Sequence, residues 1–183
     1  TIVVPTAAIR AEGLSIAPTA AATVDLQNVR VEGGDVADLI GSVRGLVVDA
    51  GAANATVTGD GVDIDMSVPN ERNTVAIQLD NAADLTLDNS TVRVADVGTA
   101  DPNLGILLDW SAGITVNAST LTFDDSTLST GTGFLVTQAL AADSGAVVFM
   151  DGSTVTAGDA VGLPDDMFVA SIGIGIRNGS GAT

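Results

Sequence analysis

The strongest constraint on this 183-residue chain is that it repeats itself about every 30 residues. An apolar residue, a short polar turn and an alternating strand recur at Val24–Val31, Val57–Ile64, Leu87–Val94, Val116–Phe123 and Met150–Ala157. Their anchors Leu26, Val57, Leu87, Val116 and Met150 are 31, 30, 29 and 34 residues apart. A second series starts at Gly13, Gly45, Val75, Gly105, Gly133 and Gly173, with spacings of 32, 30, 30, 28 and 40. A unit of this size cannot bury its own apolar face, so its copies must stack into one continuous core.

Composition decides what is stacked. Hydrophobic residues make up 46% of the chain but aromatics only 3%, so Val, Ile, Leu and Ala must build the core. These residues suit strands and layers in which like packs on like. The polar residues are Asp, Asn, Gly and Thr rather than Glu, Lys and Gln, which favours turns and strands over helices. A propeller blade needs four antiparallel strands per repeat, and a leucine-rich repeat needs its own frame with a helical segment. The remaining solution is all-β: a right-handed parallel β-helix of about five to six rungs, each of roughly 30 residues and three short strands.

Residues 1–183 are expected to form a single β-helix segment, with an insertion loop at 158–170. One core column is expected through Leu14, Leu46, Ala76, Ile106 and Phe134, or their immediate neighbours. Another is expected through Leu26, Val57, Leu87, Val116 and Met150. Corners are expected at Asp88-Asn89-Ser90, Asn117-Ala118-Ser119, Asp124-Asp125-Ser126 and Asp151-Gly152-Ser153, because Asn, Asp and Gly accept the left-handed backbone of a tight turn. The Asn-X-Ser/Thr matches at Asn54, Asn89, Asn117 and Asn178 are by-products of this turn chemistry.

Six Arg and no Lys face 23 acids, for a net charge of −17. Nucleic acid needs a basic footprint and is excluded as a partner; anionic membrane surfaces are disfavoured in the same way. No run of 18 apolar residues marks a membrane-inserted helix. The first residue, Thr1, is neither an initiator Met nor part of a basic leader, and the chain reads as a piece of a longer protein. Without Cys, His, Lys or Tyr there is no thiolate metal site, no Ser-His-Asp triad, no Schiff base and no Walker loop. Only carboxylate chemistry remains, so the chain is read as a non-enzyme with no cofactor.

The segments Leu85–Val92, Ile114–Leu121 and Phe149–Thr156 each end a strand at a polar corner and follow it with a Thr/Val strand. In this they resemble the passenger regions of bacterial autotransporters of the pertactin-like type, over roughly residues 14–176. That resemblance implies a scaffold or adhesin segment that is secreted or displayed on the outer membrane of a Gram-negative bacterium. It further implies a C-terminal translocator barrel in the full protein. A host surface protein or glycan is the partner such a segment would meet.

Three sets of residues are candidates for chemistry. Loops leaving the coil are where a solenoid places recognition, which selects Asn70, Glu71 and Arg72, the lone Trp110, and Asp165 and Asp166 in the insertion. Asp60, Asp63 and Asp65 offer alternating oxygens to a calcium ion, although the EF-hand frame is absent. Arg30, Asp63 and Arg93 recur on consecutive rungs, which reads as a surface ion ladder. The alternative reading is a polysaccharide-binding or polysaccharide-cleaving β-helix of the phage tailspike or lyase kind, using acids such as Asp124 and Asp125. Adjacent acids on a strand point to opposite faces, so neighbouring rungs would have to assemble such a site.

Overall fold

A computed structural model describes residues 1–3, 10–33, 42–51, 53–66, 73–94, 110–130, 133–134, 136–143, 145–158, 160–161, 170–176 and 181–182. All regular elements among them are strands. Eighteen strands form three sheets of six, and the chain visits the sheets in turn. The first sheet holds Ile2–Val3, Arg30–Glu32, Asp63–Met66, Thr91–Val94, Thr127–Thr130 and Thr154–Thr156. The second holds Arg10–Ile16, Ser42–Asp49, Asn73–Asp80, Trp110–Asn117, Val136–Asp143 and Ala170–Ile176. The third holds Ala22–Gln27, Ala55–Asp60, Ala83–Asp88, Thr120–Asp124, Val147–Asp151 and Gly181–Ala182.

Every pairing is parallel, and partners on adjacent rungs lie from 26 residues apart (Ile114 and Leu140) to 37 (Ile77 and Ile114). This is the parallel β-solenoid that the period predicts. A short extra pair, Gly133–Phe134 with Ala160–Val161, lies outside the three sheets. The second of those strands falls within the insertion expected at 158–170, whose residues 159 and 162–169 lie outside the described residues.

Period-two alternation turns one set of side chains inward. Val31, Ile64, Val92 and Leu128 stack in the first sheet, Leu46, Ile77, Ile114 and Leu140 in the second, and Val57, Leu85, Leu121 and Val148 in the third. All twelve are buried. Burying each such side chain contributes about 1.5–3 kcal/mol, and stacking lets each rung bury the face of the next.

The register differs from the expected columns in an instructive way. Leu26 is level with Gly59, and Leu87 with Phe123 and then Met150. Val57 belongs two positions earlier, and Val116 lies in a different sheet, opposite Leu79 and Ala142. Gly59 hides the column because it has no side chain. A Cβ there would lie 2.7 Å from Leu87 Cδ2 and 2.7 Å from Val62 Cγ2, so these neighbours already fill its place. In the other series, Leu14 and Leu46 are partners as expected, and Ile77, the neighbour of Ala76, continues the column. Ile114 and Leu140 then take the places expected for Ile106 and Phe134. Ile106 lies outside the described residues, and Phe134 belongs to the short extra pair.

The corners between the third and first sheets explain how a chain can turn without losing its ladder. Asn28, Gly61, Asn89, Asp125 and Gly152 occupy the same corner on five rungs, and all have positive φ, between 43° and 63°. Asn, Asp and Gly are the residues that take this conformation at least cost. One residue later the strands separate, and serine hydroxyls bridge the gap. Ser90 N donates to Ser126 Oγ (2.9 Å), and Ser126 N to Ser153 Oγ (3.0 Å). Each hydroxyl donates in turn to the carbonyl two residues before it. Ser119 plays the same part at the next corner, accepting from Ala83 N at 3.2 Å.

Ser126→Ala is therefore expected to cost about 1–3 kcal/mol, because it leaves the buried Ser90 N–H without an acceptor. Leu121→Ala should cost about 2–5 kcal/mol, and Thr56→Ala, on the exposed outer face, within about 0.5 kcal/mol. Urea denaturation of the three variants checks this order.

Candidate functional site

Two surfaces of the solenoid carry chemistry, a charged ladder on the first sheet and a polar trough on the second. The ladder is built from outward positions of three rungs. Arg30 is level with Asp63 and Thr91, and Asp65 is level with Glu32 and Arg93. Arg93 and Asp63 are thus two positions apart rather than level, yet their side chains meet. Arg93 Nη2 reaches Asp63 Oδ1 at 2.7 Å and Asp65 Oδ2 at 3.3 Å. From the other side Arg30 approaches the same two acids at 3.5 and 3.7 Å and donates from Nε to Glu32 at 2.7 Å. That hydrogen bond, followed by the charges of Glu32 and Asp63, raises the pKa of Arg30 above its ordinary value. Its charge is therefore constant over any working pH.

This geometry divides the proposed calcium ligands. Asp63 and Asp65 share a face, but two guanidinium groups occupy their oxygens. Asp60 lies around the corner at the end of a third-sheet strand, where it accepts from Asn89 Nδ2 at 3.2 Å. Among the described residues no group of three or more acids is disposed to hold a metal ion.

Other acids are met by amides. Asn81 donates to Asp49 at 2.8 Å, Asn117 to Asp80 at 2.7 Å, and Gln78 also to Asp80. Asp88, Asp124, Asp125 and Asp151 instead line one shallow hollow. Asp124 and Asp125 were expected on opposite faces. The positive φ of Asp125 places it at the corner, so both border the same hollow. These acids stack along one side of the coil, whereas a glycosidase pair must flank a bond from two sides.

The trough arises from a change of phase in the second sheet. Two successive residues turn inward in each strand: Gly45 with Leu46, Ala76 with Ile77, Gly113 with Ile114, and Ala139 with Leu140. The first must be small. A Cβ on Gly45 would lie 2.7 Å from the Ala76 carbonyl oxygen and 2.8 Å from Ile64 Cγ2. The sheet bends at this step, and its outer surface becomes concave. Outward residues on either side of the bend then line a cavity of about 260 Å³, among them Arg44, Gln78, Thr115, Gln138, Ala141 and Gly175. Thr115 is 6% exposed and Gln138 only 1%, although both face outward. Gln138 Nε2 donates to the Leu140 carbonyl at 3.1 Å. It also lies where a Cβ on Gly175 would be, so that position admits only glycine without displacing the amide. No protein-family model, curated protein or solved structure matches the chain.

The residues singled out in loops fare differently. Asn70, Glu71, Arg72, Asp165 and Asp166 lie outside the described residues. Trp110 is not in a loop; its backbone opens a second-sheet strand opposite Val136, five residues before Thr115. Thr115 and Gln138 were missed because their apposition depends on register, and no local motif marks it. The signal that was present is the recurring Gly/Ala-Leu/Ile pair, which marks the bend.

Removing one cation from the ladder isolates its worth. Arg93→Gln should destabilise by about 0.5–1 kcal/mol at low salt, and 1 M NaCl should erase most of the difference from wild type. Thermal unfolding at the two salt concentrations measures this.

Proposed function

We propose that this chain is a non-catalytic scaffold or adhesin segment of a secreted or surface-displayed bacterial protein, of the autotransporter passenger type. The observation that carries the reading is a continuous coil in which each strand pairs only with strands of adjacent rungs. Such a chain can cross a pore unfolded and fold rung by rung on the far side, because no pairing awaits a distant segment. The absence of Cys removes disulfides that would obstruct passage. The net charge of −17 keeps the unfolded chain soluble during transit. The acids of the first sheet neutralise arginines, and those of the corners stack on one side, which fits a surface better than a catalytic pair.

The test joins the chain to a translocator barrel in a Gram-negative host. Intact cells should display it in a folded, protease-resistant form, and the purified segment should release no reducing sugar from acidic or neutral polysaccharides. Retention in the periplasm, or sugar release abolished by Asp124→Asn, would contradict the proposal.

A further inference from the structure

We infer that the two ends of the solenoid are complementary, and that copies of this chain stack on them head to tail into an axial fibre. The inference goes beyond the scaffold reading and does not rest on it. Its first support is the last rung, where Thr154–Thr156, Ala170–Ile176 and Gly181–Ala182 each form the outer edge of a sheet. Ile174 ends the inward column Leu14–Leu46–Ile77–Ile114–Leu140–Ile174. Leu46, Ile77, Ile114 and Leu140 are at most 1% exposed, yet Ile174 is 46% exposed. At the other end Ile2, Leu14, Ile16 and Val24 are only partly buried. Both ends thus present core positions that one more rung would cover. A sheet edge that must stay free is ordinarily blunted by charge, proline or a bulge, and a solenoid end by a polar cap. The three strands of the last rung carry no charged residue and no proline, in a chain with 23 acids.

Register names the occupant. The first-sheet column begins at Ile2 and ends at Val155. The third-sheet column begins at Val24 and ends at Ala182. In the second sheet Leu14 and Ile174 begin and end one column, and Ile16 and Ile176 another. Arg10–Ile16 and Ala170–Ile176 are both 7 residues long, and each sets a glycine directly before the column residue, Gly13 before Leu14 and Gly173 before Ile174. A second copy whose first rung lies on the last rung of the one before brings all four apolar pairs together, with every strand parallel. Two copies meeting by the same end would run their strands antiparallel and lose this register. Charge agrees. The first-rung strands bring Arg10, Glu12 and Asp25 to the joint and the last-rung strands bring no acid, so no acid opposes an acid there. Over the remaining surface a net charge of −17 makes copies repel. The contact is heterologous, and each added copy presents a fresh end, so growth stays open.

Sedimentation velocity on the 183-residue chain should show a mean mass that rises with concentration. Ile174→Asp should raise the dissociation constant by about tenfold or more, since it replaces a buried aliphatic contact with an acid. Cross-linking reads the joint independently. Val3 and Thr156 share one outward level on the first and last rungs. Within one copy they lie five rungs apart, about 24 Å, beyond the reach of a disulfide; across the joint they lie about 5 Å apart. Mild oxidation of an equimolar mixture of the V3C and T156C variants should therefore give chiefly the mixed disulfide. A strict monomer at every concentration, homodisulfides in place of the mixed product, or undiminished association of folded Ile174→Asp would overturn the inference. None of these outcomes bears on surface display or sugar release, so failure here is distinguishable from failure of the scaffold reading.

Discussion

In-register pairing of parallel strands along one axis is the constraint on which the rest of this structure depends. It fixes which side chains stack, and so it turns a single strand pattern into columns that run the length of the coil. The apolar columns Val31–Ile64–Val92–Leu128 and Val57–Leu85–Leu121–Val148 form the core. The same pairing demands that every rung turn at the same places. Left-handed residues and serine hydroxyls meet that demand at the corners, where backbone groups alone would miss each other. A slip of one residue would turn each apolar column to solvent and open the serine ladder at the same moment.

Stacking like on like is favourable for valine and unfavourable for aspartate, since like charges directly opposite each other repel. A chain with 23 acids must therefore arrange its outer columns with care. On the first sheet, arginines from the rungs on either side close on Asp63 and Asp65. At the corner after the second sheet, asparagine and glutamine amides meet Asp49 and Asp80. At the opposite corner Asp88, Asp124, Asp125 and Asp151 remain around an open hollow where water screens them. The charge pattern thus serves the coil itself, while on the bent second sheet polar groups gather in a recess.

Much of this was legible in the sequence. The period, the all-β class and the corner residues Asn89, Asp125 and Gly152 follow from composition and turn chemistry. The ladder of Arg30, Asp63 and Arg93 follows from spacing; Arg30 is level with Asp63 as the spacing predicts, and Arg93 is level with Asp65, two positions on. Register was harder to read for physical reasons. Gly59 occupies an apolar column that neighbouring side chains fill, so it carries no apolar mark of its own. Asn117-Ala118-Ser119 and Asp88-Asn89-Ser90 turn different corners with similar chemistry, and a linear alignment superposes them. Gly105-Ile106 and Gly133-Phe134 imitate the bend motif; the bend itself uses Gly113-Ile114 and Ala139-Leu140. The trough depends on all of these at once, because Thr115 and Gln138 approach only when the strands are correctly aligned.

Cross-linking tests that alignment most directly, and the absence of Cys makes the result clean. Thr86 and Thr122 are level on adjacent rungs of the third sheet. The register read from the linear repeat would set Thr86 against Thr115 instead. Partners across a parallel ladder lie about 5 Å apart, within the reach of a disulfide. Under mild oxidation the T86C/T122C variant should form an intramolecular disulfide rapidly, and T86C/T115C should not. Rapid closure of T86C/T115C with T86C/T122C remaining reduced would contradict the stacked-rung account.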